Sequence, residues 1–139
     1  MDYVTKQALI DRFGERELIQ LTDRAGSGAI DESVLNGAIG DATAEINSRV
    51  GTRYLPDVLV DSEIIARIAA DFSRWFLYEN HAPDHVRTRY EDGVKLLDKI
   101  AAGKITLGLP EIHQDQGAGD AEVESPDRVF ARDDLKDFG

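Results

Sequence analysis

Twelve residues, Asp23-Arg24-Ala25-Gly26-Ser27-Gly28-Ala29-Ile30-Asp31-Glu32-Ser33-Val34, have part of the spacing of a calcium loop: Asp at position one, Gly at six, Ile at eight and Asp at nine. Position three is Ala25 and position twelve is Val34, so two side-chain oxygen ligands are missing, including the bidentate glutamate. The stretch therefore reads as a Gly-rich turn that ends in a helix cap. His81 and His85 have the spacing at which two imidazoles share a zinc ion on one helix face. Pro83 lies between them and is expected at the first position of a helix, which puts His81 outside it. Phe72, Trp75, Phe76 and Tyr78 offer faces for stacking, but their helical spacing assigns them to a core. The chain has no cysteine, hence no thiolate nucleophile, disulfide or cysteine-ligated zinc. Ser, His and Asp occur without a nucleophile motif, and no Gly-rich phosphate loop follows a strand. No catalytic residue, metal ligand or cofactor is assigned, and the chain is not expected to be an enzyme.

The elements that carry these residues are helical by periodicity. The best defined runs from Asp31 to Val50, with Val34, Leu35, Ala38, Ile39, Ala42, Ile46 and Val50 on one face. Asp31 is placed to cap it, Ile30 and Leu35 have the spacing of a hydrophobic staple, and Gly51 is expected to close it with a left-handed turn. Pro56 prevents any later continuation. Thr5 caps a first short helix ending at Phe13, Gly14 breaks it, and a second runs from Glu15 to Thr22. After Pro56, Asp61 or Ser62 caps a helix with Ile64, Ile65, Ile68, Ala69, Phe72, Trp75 and Phe76 inward. The last helix runs to about Ala102, with Val86, Tyr90, Val94, Leu97, Ile100 and Ala101 inward and Gly103 as its stop. Its charges, Arg87, Arg89, Lys95 and Lys99 among Glu91, Asp92 and Asp98, read as a solvated face.

The pattern changes after Gly103. Ile105, Leu107 and Leu109 alternate as in a strand, which extends along the bundle or pairs with another subunit. Residues 111–124 are polar, acidic and rich in Gly, Asp and Gln, the composition of a connector. Apolar anchors then return: Arg128, Val129, Phe130, Arg132, Leu135 and Phe138 suit docking into a groove on the same or another molecule. The expected architecture is all-α, a small bundle of four to five helices over residues 1–104 with an extended acidic C-terminal arm over 105–139.

The net charge is -11, with nine acidic and three basic side chains in residues 110–139. A surface of this sign repels phosphate backbones, which counts against the competing class, a small helical regulatory or DNA-binding protein. No stretch approaches the roughly 20 apolar residues of a membrane span, and the start lacks the regions of a signal peptide. A soluble protein made in the cytoplasm, with no membrane partner, is expected.

Several stretches together resemble a known family. Tyr3-Val4-Thr5, Leu9-Ile10-Asp11-Arg12-Phe13-Gly14-Glu15, Leu21-Thr22-Asp23-Arg24, Ala38-Ile39 with Asp41-Ala42, Arg53-Tyr54-Leu55-Pro56, Arg89-Tyr90 and Ile100-Ala101-Ala102-Gly103 are similar in order and spacing to the Mu-like prophage neck proteins. Arg128-Val129-Phe130-Ala131-Arg132 with Leu135 and Phe138 is also similar to the end of many members. The sequence departs from many relatives in the calcium-like loop, where others carry more acidic residues. The resemblance implies a structural virion protein, a head-tail connector or adaptor subunit in the neck of a long-tailed phage or prophage. Its implied partners are copies of itself in a ring, twelvefold to match the portal, the portal protein, and a tail-side neck or terminator protein. Genomic DNA would pass through the lumen without sequence-specific binding. In such a ring the bundle forms the wall, and the arm reaches the portal or a neighbouring subunit.

Overall fold

Local signals place the helix ends. The computed structural model describes residues 1–112, in which six helices follow one another: α1 (Lys6–Phe13), α2 (Glu15–Thr22), α3 (Glu32–Val50), α4 (Pro56–Leu59), α5 (Glu63–Leu77) and α6 (Asp84–Ala101). Thr5, Asp31 and Ser62 each accept hydrogen bonds from backbone amides in the first turn of α1, α3 and α5, which satisfies donors that a helix start otherwise leaves free. Gly14, at φ +91°, ends α1 and begins α2 in a conformation that a side chain disfavours. The α6 stop is a Schellman turn: Gly103 at φ +77° lets the Lys104 and Gly103 amides reach the Lys99 and Ile100 carbonyls, at 2.9 and 3.1 Å.

The bundle is built around α3. Its stripe of Leu35, Ala38, Ile39, Ala42, Ile46 and Val50 is buried and packs chiefly on α5, with α6 covering both. From α5 come Ile65, Ile68, Ala69 and Phe72, and from α6 Leu97 and Ile100. Leu9 of α1 and Leu18 of α2 join the same core. Gly93 is buried where α6 crosses α5: a Cβ there would stand 2.8 Å from Phe72 Cε1, so the absent side chain sets how closely the helices approach. The buried hydroxyls of Thr22 and Ser73 are satisfied. Ser73 donates to the Ala69 carbonyl at 2.8 Å, while Thr22 donates to the Leu18 carbonyl at 2.8 Å and accepts from the Asp31 amide at 3.0 Å. Thr22 thereby ties the end of α2 to the start of α3 across the Gly-rich turn.

Several expectations are corrected. The described residues are all-α as expected, but with six helices instead of four to five, because Pro56, which lies beyond the end of α3, also starts a further helical turn, α4. Proline suits that first position, since its missing amide would have no partner there. Gly51 is right-handed, at φ -67° and ψ -15°; the chain continues turning, and the amides of Arg53 and Tyr54 both use the Val50 carbonyl. Pro83 is the cap of α6, one residue before its expected place, with extended ψ of 153° and a carbonyl that accepts from Val86 and Arg87. Ile64 is 43 % exposed, whereas Ala70, Ser73 and Leu77 are buried. The helix face is thus rotated from the stripe read in sequence. Residues 105–109 lie along the bundle, the first of their two expected placements, without being part of a sheet among the described residues: Ile105, Leu107 and Leu109 are half-buried against their own core, while Thr106 and Gly108 are exposed. A period of two survives as in-and-out alternation along a single segment, with the Leu107 amide donating to the Tyr54 hydroxyl at 3.2 Å.

Candidate interaction surface

The turn after α3 brings together the features that distinguish one end of this bundle. Val50 closes the α3 stripe, and the turn beyond it places Arg53 and Tyr54 against the C-terminal end of α6 and the segment that follows. Tyr54 is fully buried, yet its hydroxyl is used twice: it accepts from the Leu107 amide and donates to Glu111 Oε2, each at 3.2 Å. Arg53 donates through Nη1 to Glu111 Oε1 at 2.8 Å and through Nε to the Ala101 carbonyl at 3.3 Å. Its guanidinium lies against Gly103, where a Cβ would approach Nη2 to 2.9 Å. The Ile112 amide donates to the Arg53 carbonyl at 2.8 Å. Arg53 and Tyr54 therefore clamp residues 105–112 to the bundle through contacts more than fifty positions apart in sequence.

The residues that follow the clamp turn outward. Leu55, Val60 and Ile64 are 55, 40 and 43 % exposed, on the corner formed by α4 and the start of α5. Asp57, Asp61 and Glu63 are interspersed with them and exposed, and no basic residue occurs between Arg53 and Arg67. Exposed apolar side chains interspersed with carboxylates make this stretch a candidate for contact with another segment or molecule.

Elsewhere the polar chemistry holds helices together. Arg74 of α5 makes a bidentate pair with Glu17 of α2, at 2.7 and 2.9 Å, and lies over the Phe13 ring of α1 at 4.4 Å. That one guanidinium joins three helices. Glu45 of α3 receives Tyr90 Oη of α6 and Arg49 Nε, and Arg49 also pairs with Asp98 of α6 at 3.0 Å. Trp75 stacks on Tyr90 with centroids 5.1 Å apart and Phe72 meets it at 4.9 Å, so these aromatic rings are occupied with each other. An open cleft between α5 and α6, about 340 Å³, is lined by Arg67, Asp71, Arg89 and Asp92. Burial raises the Asp71 carboxyl above its ordinary range, against the pull of Arg89 and Arg67.

The motifs singled out in sequence resolve as follows. Asp23 folds its carboxylate onto its own loop, accepting from the Ser27 and Gly28 amides at 2.8 and 2.6 Å; these bonds lower its pKa. Its oxygens serve as a turn clasp. His85 lies in the first turn of α6, 3.5 Å from Arg74 Nη2, and His81 precedes the helix. Ile105, Leu107 and Leu109 are gathered onto the bundle beside the clamp. Arg128, Val129, Phe130, Arg132, Leu135 and Phe138 lie outside the described residues. Sequence reasoning assigned no role to Arg53, Tyr54 and Glu111; the available signal was an Arg-Tyr pair falling just after a closed helical stripe, where an aromatic residue has no helix face to occupy.

The fold and the uses of its polar groups define a small helical-bundle protein with residues 105–112 clamped against it. None of the described helices is long and apolar enough to cross a membrane. The chain belongs to the family described as Bacteriophage Mu, Gp36, which matches residues 3–125. It is similar to the Mu-like prophage FluMu protein gp36 of Haemophilus influenzae, 31 % identical over 137 residues that cover 98 % of this chain and 97 % of the relative. It is also similar to gene product J of Escherichia phage Mu, 25 % identical over 135 residues that cover 95 and 96 % of the two chains. The matches run almost end to end, so the clamp and the corner both fall within the shared region.

Proposed function

We propose that this phage-family protein is a structural subunit of the virion neck, a head-tail connector that forms a ring between portal and tail. Membership of the Mu Gp36 family over residues 3–125 carries the reading, because it limits the chain to phage biology before any site is considered. The bundle suits a ring wall: several of its ion pairs and its aromatic rings are spent on cross-helix contacts, and the clamp holds residues 105–112 at a fixed place. Residues 128–138 then act as the anchor that reaches the portal or a neighbouring copy, and a tethered anchor binds at high effective concentration. Closure into a ring repeats each weak contact around the symmetry axis, twelvefold where it matches the portal. The acidic balance of -11 suits a lumen through which DNA slides without adhering.

Electron microscopy of the purified protein mixed with its portal tests the proposal. Added ring density at the portal is expected; a chain that stays monomeric and never binds portal or tail-side neck protein refutes it. Deleting residues 125–139 should leave a cooperatively melting helical protein that no longer joins the neck. Loss of the melt on that deletion would show instead that these residues belong to the folded core.

A further inference from the structure

The apolar corner of Leu55, Val60 and Ile64 has no cover among the described residues, although its neighbours Tyr54 and Leu59 are fully buried. Asp57, Asp61 and Glu63 around it enter no ion pair among the described residues. The clamp decides what lies nearest. The Ile112 amide bonds the Arg53 carbonyl, so the described chain ends two residues from Leu55, and 27 residues follow it in the sequence. Within them Arg128-Val129-Phe130-Ala131-Arg132 is the complement of the corner, two large apolar side chains flanked by two cations. Fifteen residues separate it from Ile112, and a chain of that length bridges on the order of 20 Å.

The geometry points to residues 128–132 of the same chain as the occupant of this corner in the free protein. Val129 and Phe130 cover Leu55, Val60 and Ile64, and Arg128 and Arg132 face Asp57, Asp61 and Glu63. The tether favours the chain's own segment over a second copy, since short linkers give effective concentrations in the millimolar range. Occupation in cis keeps the exposed apolar surface and the anchor from engaging partners prematurely, and assembly exchanges the anchor onto its final site. The proposal deepens the connector reading and rests on it for its purpose; the contact itself is a property of the isolated chain.

Because the chain contains no cysteine, paired substitutions report the contact without background. In the full chain, Val60→Cys with Ala131→Cys is oxidised at low micromolar concentration. Gln20→Cys with Ala131→Cys is the control, since α2 sits by the opposite end of α3. The expected result is an intramolecular disulfide that forms at least about tenfold faster in the first pair. It should slow when Phe130→Ala or Asp61→Lys with Glu63→Lys is added, and recover on adding Arg128→Glu with Arg132→Glu to the latter. Rates equal to the control overturn the proposal, and so does a disulfide that is predominantly intermolecular, which would assign the corner to a second copy. A chain that cross-links in cis but adds no density to a portal refutes the connector reading alone; one that assembles but does not cross-link refutes only this inference.

Discussion

Replacing Tyr54 by Phe removes one oxygen from the clamp and leaves the buried ring in place. The hydroxyl accepts from the half-buried Leu107 amide and donates to Glu111, each at 3.2 Å. An amide left without an acceptor costs about 1–3 kcal/mol when buried, and a bond to a charged group contributes about 1.5–3 kcal/mol. The second figure needs discounting, because the Glu111 side chain is 38 % exposed and keeps Arg53 as a partner. A total of about 1.5–2 kcal/mol follows. The loss should fall on residues 105–112 before the bundle, since Arg53 and Tyr54 are the side chains that hold this segment by hydrogen bonds. Native-state hydrogen exchange at the Leu107 and Ile112 amides should therefore accelerate roughly 10- to 30-fold, with a smaller shift in the urea midpoint. Glu111→Gln, which keeps an acceptor for the hydroxyl but loses the ion pair, should cost less. Unchanged exchange at both amides, with a stability change below about 0.5 kcal/mol, would show that the hydroxyl does not hold the segment.

Three further outcomes follow from the same geometry. Arg74→Lys should destabilise the protein by about 2 kcal/mol in denaturant titrations, because an ammonium cannot reproduce the bidentate pair with Glu17 or its place over Phe13; wild-type stability in this variant would refute a joining role. Asp31→Ala should cost about 1 kcal/mol through loss of the α3 cap, and Asp31→Asn much less. Asp71→Asn should raise stability at neutral pH. The folded Asp71 carboxyl binds its proton more tightly than the unfolded one, so its ionisation destabilises the fold above the raised pKa, and that penalty fades as pH falls through the raised value and is gone below the ordinary 3.8. Urea melts of both proteins between pH 3.5 and 7.5 should therefore converge at the acid end; a constant difference would point to a cause other than ionisation.

The sequence by itself determined what depends on near neighbours. The limits of α1 and α2, the caps Thr5, Asp31 and Ser62, and the α3 stripe arise from hydrogen bonds and periodicities within one or two helical turns. They could be read directly for that reason. The calcium-like loop was also legible as a turn, because its missing oxygens are a matter of residue type. Tertiary structure decided the rest. Whether Ile64 or Leu77 faces the core depends on where α3 and α6 lie around α5, and the strand-like alternation of Ile105, Leu107 and Leu109 is satisfied equally by a partner strand or by the surface of the chain's own bundle. In the folded chain the segment lies on its own bundle, where Arg53 and Tyr54 hold it and Tyr54 offers the Leu107 amide an oxygen from 53 residues away. The place of residues 105–112 on the bundle is set by that long-range bond and its neighbours, which no local pattern encodes.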